Sequence, residues 1–185
     1  MAYRKIAIEM DGRFCVLMAM MFMLLPLPWI FAFAGAVTIH EMCHGFAIWG
    51  FGGEVFAIRL GVNGIQMETE SMCAFQEIMV ALAGPIGSII LLLFARWMPR
   101  MAICGAVHCF YNLLPLYPLD GGRILQNLFT ICFPEQVSER LFAVFQYILL
   151  IPLSAVCIIA CFRGGLLLGF VALLALWKRC VQRIV

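Results

Sequence analysis

Residues 28–50 read PWIFAFAGAVTIHEMCHGFAIWG, and Glu41 is the one formally charged side chain in that run. At the α-helical rise of 1.5 Å per residue, a helix of this length spans roughly 35 Å, enough to cross the hydrocarbon core of a bilayer. The run therefore reads as a membrane helix with a polar cluster in its second half. His40 and His44 stand at i and i+4, on one face and one turn apart, so both imidazoles can reach a single metal ion. Neutral imidazole nitrogens suit Zn²⁺. Glu41 is turned from that face by the helical period, which places it beside a bound water rather than among the ligands. A carboxylate there can take a proton from the water and later hand it to a leaving amine. A charged side chain at the centre of a membrane helix is unfavourable by roughly 2.5–3.5 kcal/mol on insertion scales, so three ionisable groups within one helical turn call for a function.

The rest of the chain supports a membrane reading. Of its 185 residues 65% are hydrophobic and 12% charged, and the mean hydropathy is +1.04. Soluble chains average about 45–50% apolar residues, so the bilayer must act as solvent for most of this surface. A net charge of +2 without blocks of like charge makes nucleic acid an unsuitable partner. The first apolar run follows Arg4, Lys5 and Arg13 but continues past Pro26 and Pro28 with no small-residue cleavage site, unlike a cleavable signal peptide. The nine cysteines are scattered, none in a C-x-x-C pair, and read as small hydrophobes rather than as a disulfide framework or a zinc site.

The expected fold is an α-helical polytopic membrane protein forming a single domain over 1–185. About six spans are predicted, at 12–26, 28–50, 74–97, 100–120, 140–162 and 165–181, with the core at 28–122. The first stretch also suits a re-entrant element. Between the second and third spans, residues 54–67 alternate in the manner of a β-hairpin, with Asn63-Gly64 as the turn. Such a hairpin belongs at the interface or in a protein-lined cavity, where its backbone groups are paired or wetted. With the N-terminus in the cytoplasm, nine Lys and Arg residues fall on the cytoplasmic side and three outside (Arg96, Arg100 and Arg163), so both termini are expected to be cytoplasmic.

A catalytic zinc takes a third protein ligand and keeps one open position. The candidates are His108, Asp120 and the hairpin acids Glu54, Glu68 and Glu70. Spans two and four run in the same direction, which sets Asp120 at the depth of His40 and His44. His108 falls about 18 Å further along span four by the helical rise, which sets it near the opposite face of the membrane. Topology thus points to Asp120, and the prolines and glycines around it, Pro115, Pro118, Gly121 and Gly122, break the helix as a cavity-lining segment requires.

Three pieces in order, HEMCH at 40–44, AGPIG at 83–87 and NLLPLYPLDGG at 112–122, resemble the site-2 protease family of intramembrane zinc metalloproteases. The resemblance is nearest to the branch containing the stage IV sporulation protease, without the PDZ or cystathionine-β-synthase-type domains of other members. It implies one Zn²⁺ held by His40, His44 and Asp120, Glu41 as catalytic acid/base, and Asn112 as a substrate contact. It further implies a multi-pass protein of a bacterial cell membrane. The implied partners are a membrane-anchored regulatory protein as substrate and an inhibitory or activating membrane protein. The Gly84-Pro85 segment is expected to permit close helix contact. A strand edge at Ile58 is expected to hold the unwound substrate by β-addition. Two other readings stay open at this point: a membrane metal carrier, and an inactive relative that binds membrane helices.

Overall fold

The structure is a computed structural model that describes residues 7–61 and 64–160. The chain forms two compact units, Met1–Leu113 and Leu114–Val185. The first contains strand β1 (Ala7–Met10), helix α1 (Gly12–Leu24), helix α2 (Leu27–Gly50), strands β2 (Val55–Gly61) and β3 (Gly64–Thr69), and helices α3 (Ala74–Leu93) and α4 (Pro99–Asn112). The second contains α5 (Asp120–Cys132) and α6 (Glu135–Ala160). The predicted sixth span at 165–181 and the turn residue Asn63 lie outside the described residues.

Helix α2 begins at Pro26 and Pro28, where a missing N–H goes unmissed in a first turn. It ends where Gly52, at φ +76°, turns the chain in a conformation only glycine adopts freely. The N–H of Gly52 then donates to Trp49 O and that of Gly53 to Ile48 O, both at 2.9 Å, satisfying terminal carbonyls. The helix buries a stripe made of Ile30, Ala36, His40, His44 and Ile48. That stripe packs on α3 and α4, whose buried positions include Gly84, Gly87 and Ser88 on α3 and Ala102, Gly105 and Cys109 on α4. Small residues at the crossings let the backbones approach closely, as membrane helix contacts require. Helix α3 continues through Pro85 without ending.

Large apolar side chains point outward all along these helices: Phe31 is 71% exposed, Leu93 74% and Phe110 75%. So much outward apolar surface matches a lipid-facing exterior. Two described helices, α2 and α3, are long and apolar enough to cross a membrane. The predicted first span is the 13-residue α1, about 20 Å of helix and short of the roughly 30 Å core.

The hairpin forms as expected, with β2 and β3 antiparallel and Ile58 opposite Met67. Strand β1, which alternation did not reveal, joins β2 in parallel and sets Ile8 opposite Ile58. This corrects the expectation for Ile58. It sits on the central strand of the order β1-β2-β3, with a neighbour on each side, so its backbone offers no free edge. Arg59 crosses the sheet, bonding Glu9 at 2.8 Å and Glu68 at 2.7 Å. The hydrogen bond that Arg59 Nε donates to Glu9, with the nearby charges of Glu68 and Glu9, raises the Arg59 pKa above its already high ordinary value.

In the second unit, α5 and α6 pair through Phe129, which meets Phe142 and Phe145 edge-on at 6.4 Å. Gln146, buried in the otherwise apolar middle of α6, grips the segment preceding Asp120. Its Nε2 donates to Pro115 O at 2.8 Å, and its Oε1 accepts from the Tyr117 N–H at 3.1 Å. The predicted span 100–120 is therefore corrected. Helix α4 stops at Asn112, residues 113–119 form turns around Pro115 and Pro118, and Asp120 opens a new helix instead of closing the old one. Gly121 and Gly122 lie inside α5. Gly122 is small because a Cβ there would collide with the backbone of Leu116 and Tyr117.

Candidate metal centre

Both histidines of α2 are buried, and each ring is held by its Nδ1. His44 Nδ1 lies 2.7 Å from Val80 O on α3. A carbonyl only accepts, so that nitrogen carries the proton and His44 Nε2 presents a lone pair. His40 Nδ1 lies 2.9 Å from Ser88 Oγ, also on α3. In the tautomer that donates from Nδ1 to that hydroxyl, His40 too presents a lone pair at Nε2. The two Nε2 atoms face each other at 3.2 Å, with the rings steeply inclined at 82°. Two facing lone pairs repel unless a cation lies between them. Polar partners on the far nitrogen are also what metal-ligating histidines have, because they fix tautomer and ring orientation. The donor set therefore fits a divalent ion such as Zn²⁺.

Gly84 completes this arrangement. A Cβ added there would collide with His44 Nε2 and lie 2.7 Å from His40 Nε2. The AGPIG segment thus does more than allow helices to touch, since its first glycine keeps the space before both donor atoms clear. Sequence reasoning had the glycine but not its target, because only the fold sets α3 against this turn of α2.

Glu41 is half-buried, one residue along from His40. One of its carboxylate oxygens, a ring nitrogen of His40 and a ring nitrogen of His108 lie within 4.8 Å of one another. His108 is the correction at this site. Its ring centre is 4.6 Å from that of His40, not a membrane's depth away. A helical rise measured from Asp120 does not apply, because α4 ends at Asn112, one turn beyond His108. Asn112 Nδ2 lies 2.9 Å from His108 Nε2 and 3.5 Å from His40 Nε2. The first unit by itself thus gathers all three histidines of the chain, with Glu41 and Asn112. Asp120 belongs to the second unit, where it is the buried first residue of α5. Ile58 belongs to the sheet.

Comparison with known proteins agrees with this chemistry. The family described as Peptidase M50B-like matches residues 14–119, and Peptidase family M50 matches residues 94–156. A Synechocystis protein named as a candidate zinc metalloprotease is 32% identical over 123 residues, covering 55% of this chain and 32% of its own length. Stage IV sporulation protein FB of Bacillus subtilis is 33% identical over 122 residues, covering 57% of this chain and 41% of its own. The chain thus spans well under half the length of these curated relatives. Among solved structures, the site-2 protease from Methanocaldococcus jannaschii superposes with a TM-score of 0.65 over 95% of this chain and 89% of that one, at 19% identity, a likeness of fold.

Proposed function

We propose, since the chain belongs to the M50B-like peptidases of the site-2 protease family, that it is a zinc metalloprotease cutting peptide bonds in or near the membrane-spanning segments of membrane-anchored regulatory proteins. The observation that carries this reading is the pair of Nε2 atoms 3.2 Å apart, kept clear by Gly84 and flanked by Glu41. His40 and His44 supply two ligands. Asp120 is the third in this reading, a role supported by its place as the only acid between Glu77 and Glu135 and by the helix break over 113–119 that precedes it. A zinc ion held by these residues would supply a water of lowered pKa, about 7, and a Lewis acid for the scissile carbonyl.

The chain's own groups do the rest. Glu41 takes the proton from the attacking water and returns it to the leaving amine. Val80 O and Ser88 Oγ hold the two imidazoles in register, so no reorientation is needed at the moment of reaction. Asn112 contacts the substrate carbonyl. A membrane helix hides its peptide bonds, so the substrate must first unwind. Strand β3, at the outside of the sheet order, is the strand that could take up the extended segment by β-addition, in place of Ile58. The protein is multi-pass, with its termini in the cytoplasm.

The test is a cleavage assay on the purified protein in detergent, against a panel of single-span substrates, with wild type beside Glu41→Gln. Zinc retained with cleavage abolished supports the protease. Undiminished cleavage in the variant sinks it, and metal transport that survives the substitution favours a carrier.

A further inference from the structure

His108 has no part in the chemistry described so far, yet it stands at its centre. It is half-buried, edge-on to Phe33 at 5.9 Å and to His40 at 4.6 Å. Its Nε2 faces the Asn112 amide nitrogen, one helical turn on, at 2.9 Å. An amide NH₂ only donates, so His108 Nε2 is an acceptor and the ring carries its proton on Nδ1. One N–H of Asn112 is spent on this bond. The nitrogen also lies 3.5 Å from His40 Nε2, so its second N–H is available on the metal side. When the His40 lone pair is given to a metal ion, it can no longer serve that N–H, which then faces the reacting carbonyl.

We propose that His108 is a positioning residue that sets the polarity of the Asn112 amide, keeping its NH₂ end and not its oxygen turned to the metal centre. The distinction matters because the two ends of an amide are nearly isosteric but opposite in electrostatic sense. With the oxygen turned inward, Asn112 would repel the negative charge that develops on the carbonyl oxygen. With the nitrogen inward it stabilises that charge, and a donor of this kind is worth about 10²–10³ in kcat. This inference rests on the protease reading and on Asn112 as a substrate contact.

The experiment compares wild type, His108→Phe, His108→Gln, Asn112→Ala and the His108→Phe/Asn112→Ala double variant in the full chain, with Glu41→Gln as the reference for the protease reading. Phe keeps a ring of similar size against Phe33 but removes the acceptor. Gln restores an acceptor oxygen. The expected result is a kcat lowered about 10-fold or more in His108→Phe, with KM and bound zinc unchanged. His108→Gln should recover most of that loss, and the double variant should be no worse than Asn112→Ala alone, since both act through one amide. A second readout needs no activity: in ¹H–¹⁵N spectra of metal-free protein, one Asn112 side-chain proton should be shifted by its bond in wild type and His108→Gln, and not in His108→Phe. Equal damage in His108→Phe and His108→Gln, multiplicative losses in the double variant, or an Asn112 signal unmoved by His108→Phe would overturn the proposal. Glu41→Gln that cleaves normally would instead sink the protease reading, leaving the spectral result to judge His108 alone.

Discussion

Replacing Gly84 with Ala sets two physical effects against each other. As a matter of helix propensity the substitution should stabilise α3, since Ala is favoured over Gly by about 0.5–1 kcal/mol inside a helix. At this position the new methyl collides with His44 Nε2, stands 2.6 Å from His44 Cε1 and lies 2.7 Å from His40 Nε2. The His40 ring would have to retreat from 2.7 to at least 3.4 Å, where ordinary van der Waals contact begins, and the His44 ring further. Zinc–nitrogen bonds tolerate departures of only about 0.2 Å from their usual length. Ring retreat on this scale must also break the Nδ1 bonds to Val80 and Ser88, and loss of such outer partners alone weakens metal binding by 10–100-fold. The expected loss in zinc affinity is therefore at the upper end, about 100-fold or more, equivalent to roughly 2.7 kcal/mol. The assay is competition for zinc against a chelator of known affinity on the purified protein, with helix content followed by circular dichroism. Gly50→Ala, at the end of α2 with nothing within 4 Å of its Cβ, is the matched control and should bind zinc as wild type does. Zinc affinity in Gly84→Ala within threefold of wild type, with helix content intact, would refute the placement of the ion before these two nitrogens.

Gln146→Met keeps the length and removes both hydrogen bonds to the segment before Asp120. Losing the bonds to the Pro115 carbonyl and the Tyr117 N–H should destabilise the fold by about 1–3 kcal/mol per bond, seen as a lowered thermal midpoint. Zinc affinity should fall with it if that segment positions a ligand. Ile58→Pro, on the central strand, removes a ladder donor and should loosen the sheet, measured as faster amide exchange in at least one of β1 and β3; exchange unchanged in both would contradict its place between them.

How far the sequence could be read depended on whether the signal was local. His40 and His44 were legible because one helical turn is enough to bring them together, and the β2–β3 pair because its alternation is contained in one stretch. Strand β1 is four residues with no polar alternation, and only its partner, some fifty residues away, makes it a strand. Helix α5 was missed because Gly121-Gly122 reads as a stop. In fact Gly122 is small to admit the Leu116–Tyr117 backbone, a reason that exists only once the turn has formed. The same break misplaced His108, since helical rise cannot be carried across residues 113–119. Val80 and Ser88 left no trace as partners of the histidines. A carbonyl is common to every residue, and a serine in an apolar helix is ordinary.

The central claim, that the α2 histidine pair with Asp120 holds one hydrolytic zinc ion, is tested most directly by X-ray absorption at the zinc edge on purified wild type and Asp120→Ala. The account predicts one zinc per chain in wild type, bound by nitrogen and oxygen at about 2.0–2.2 Å with two imidazoles resolved, and a lost oxygen ligand with weaker retention in the variant. Sulfur neighbours at about 2.3 Å from the chain's cysteines, or a zinc environment identical in the two proteins, would contradict it.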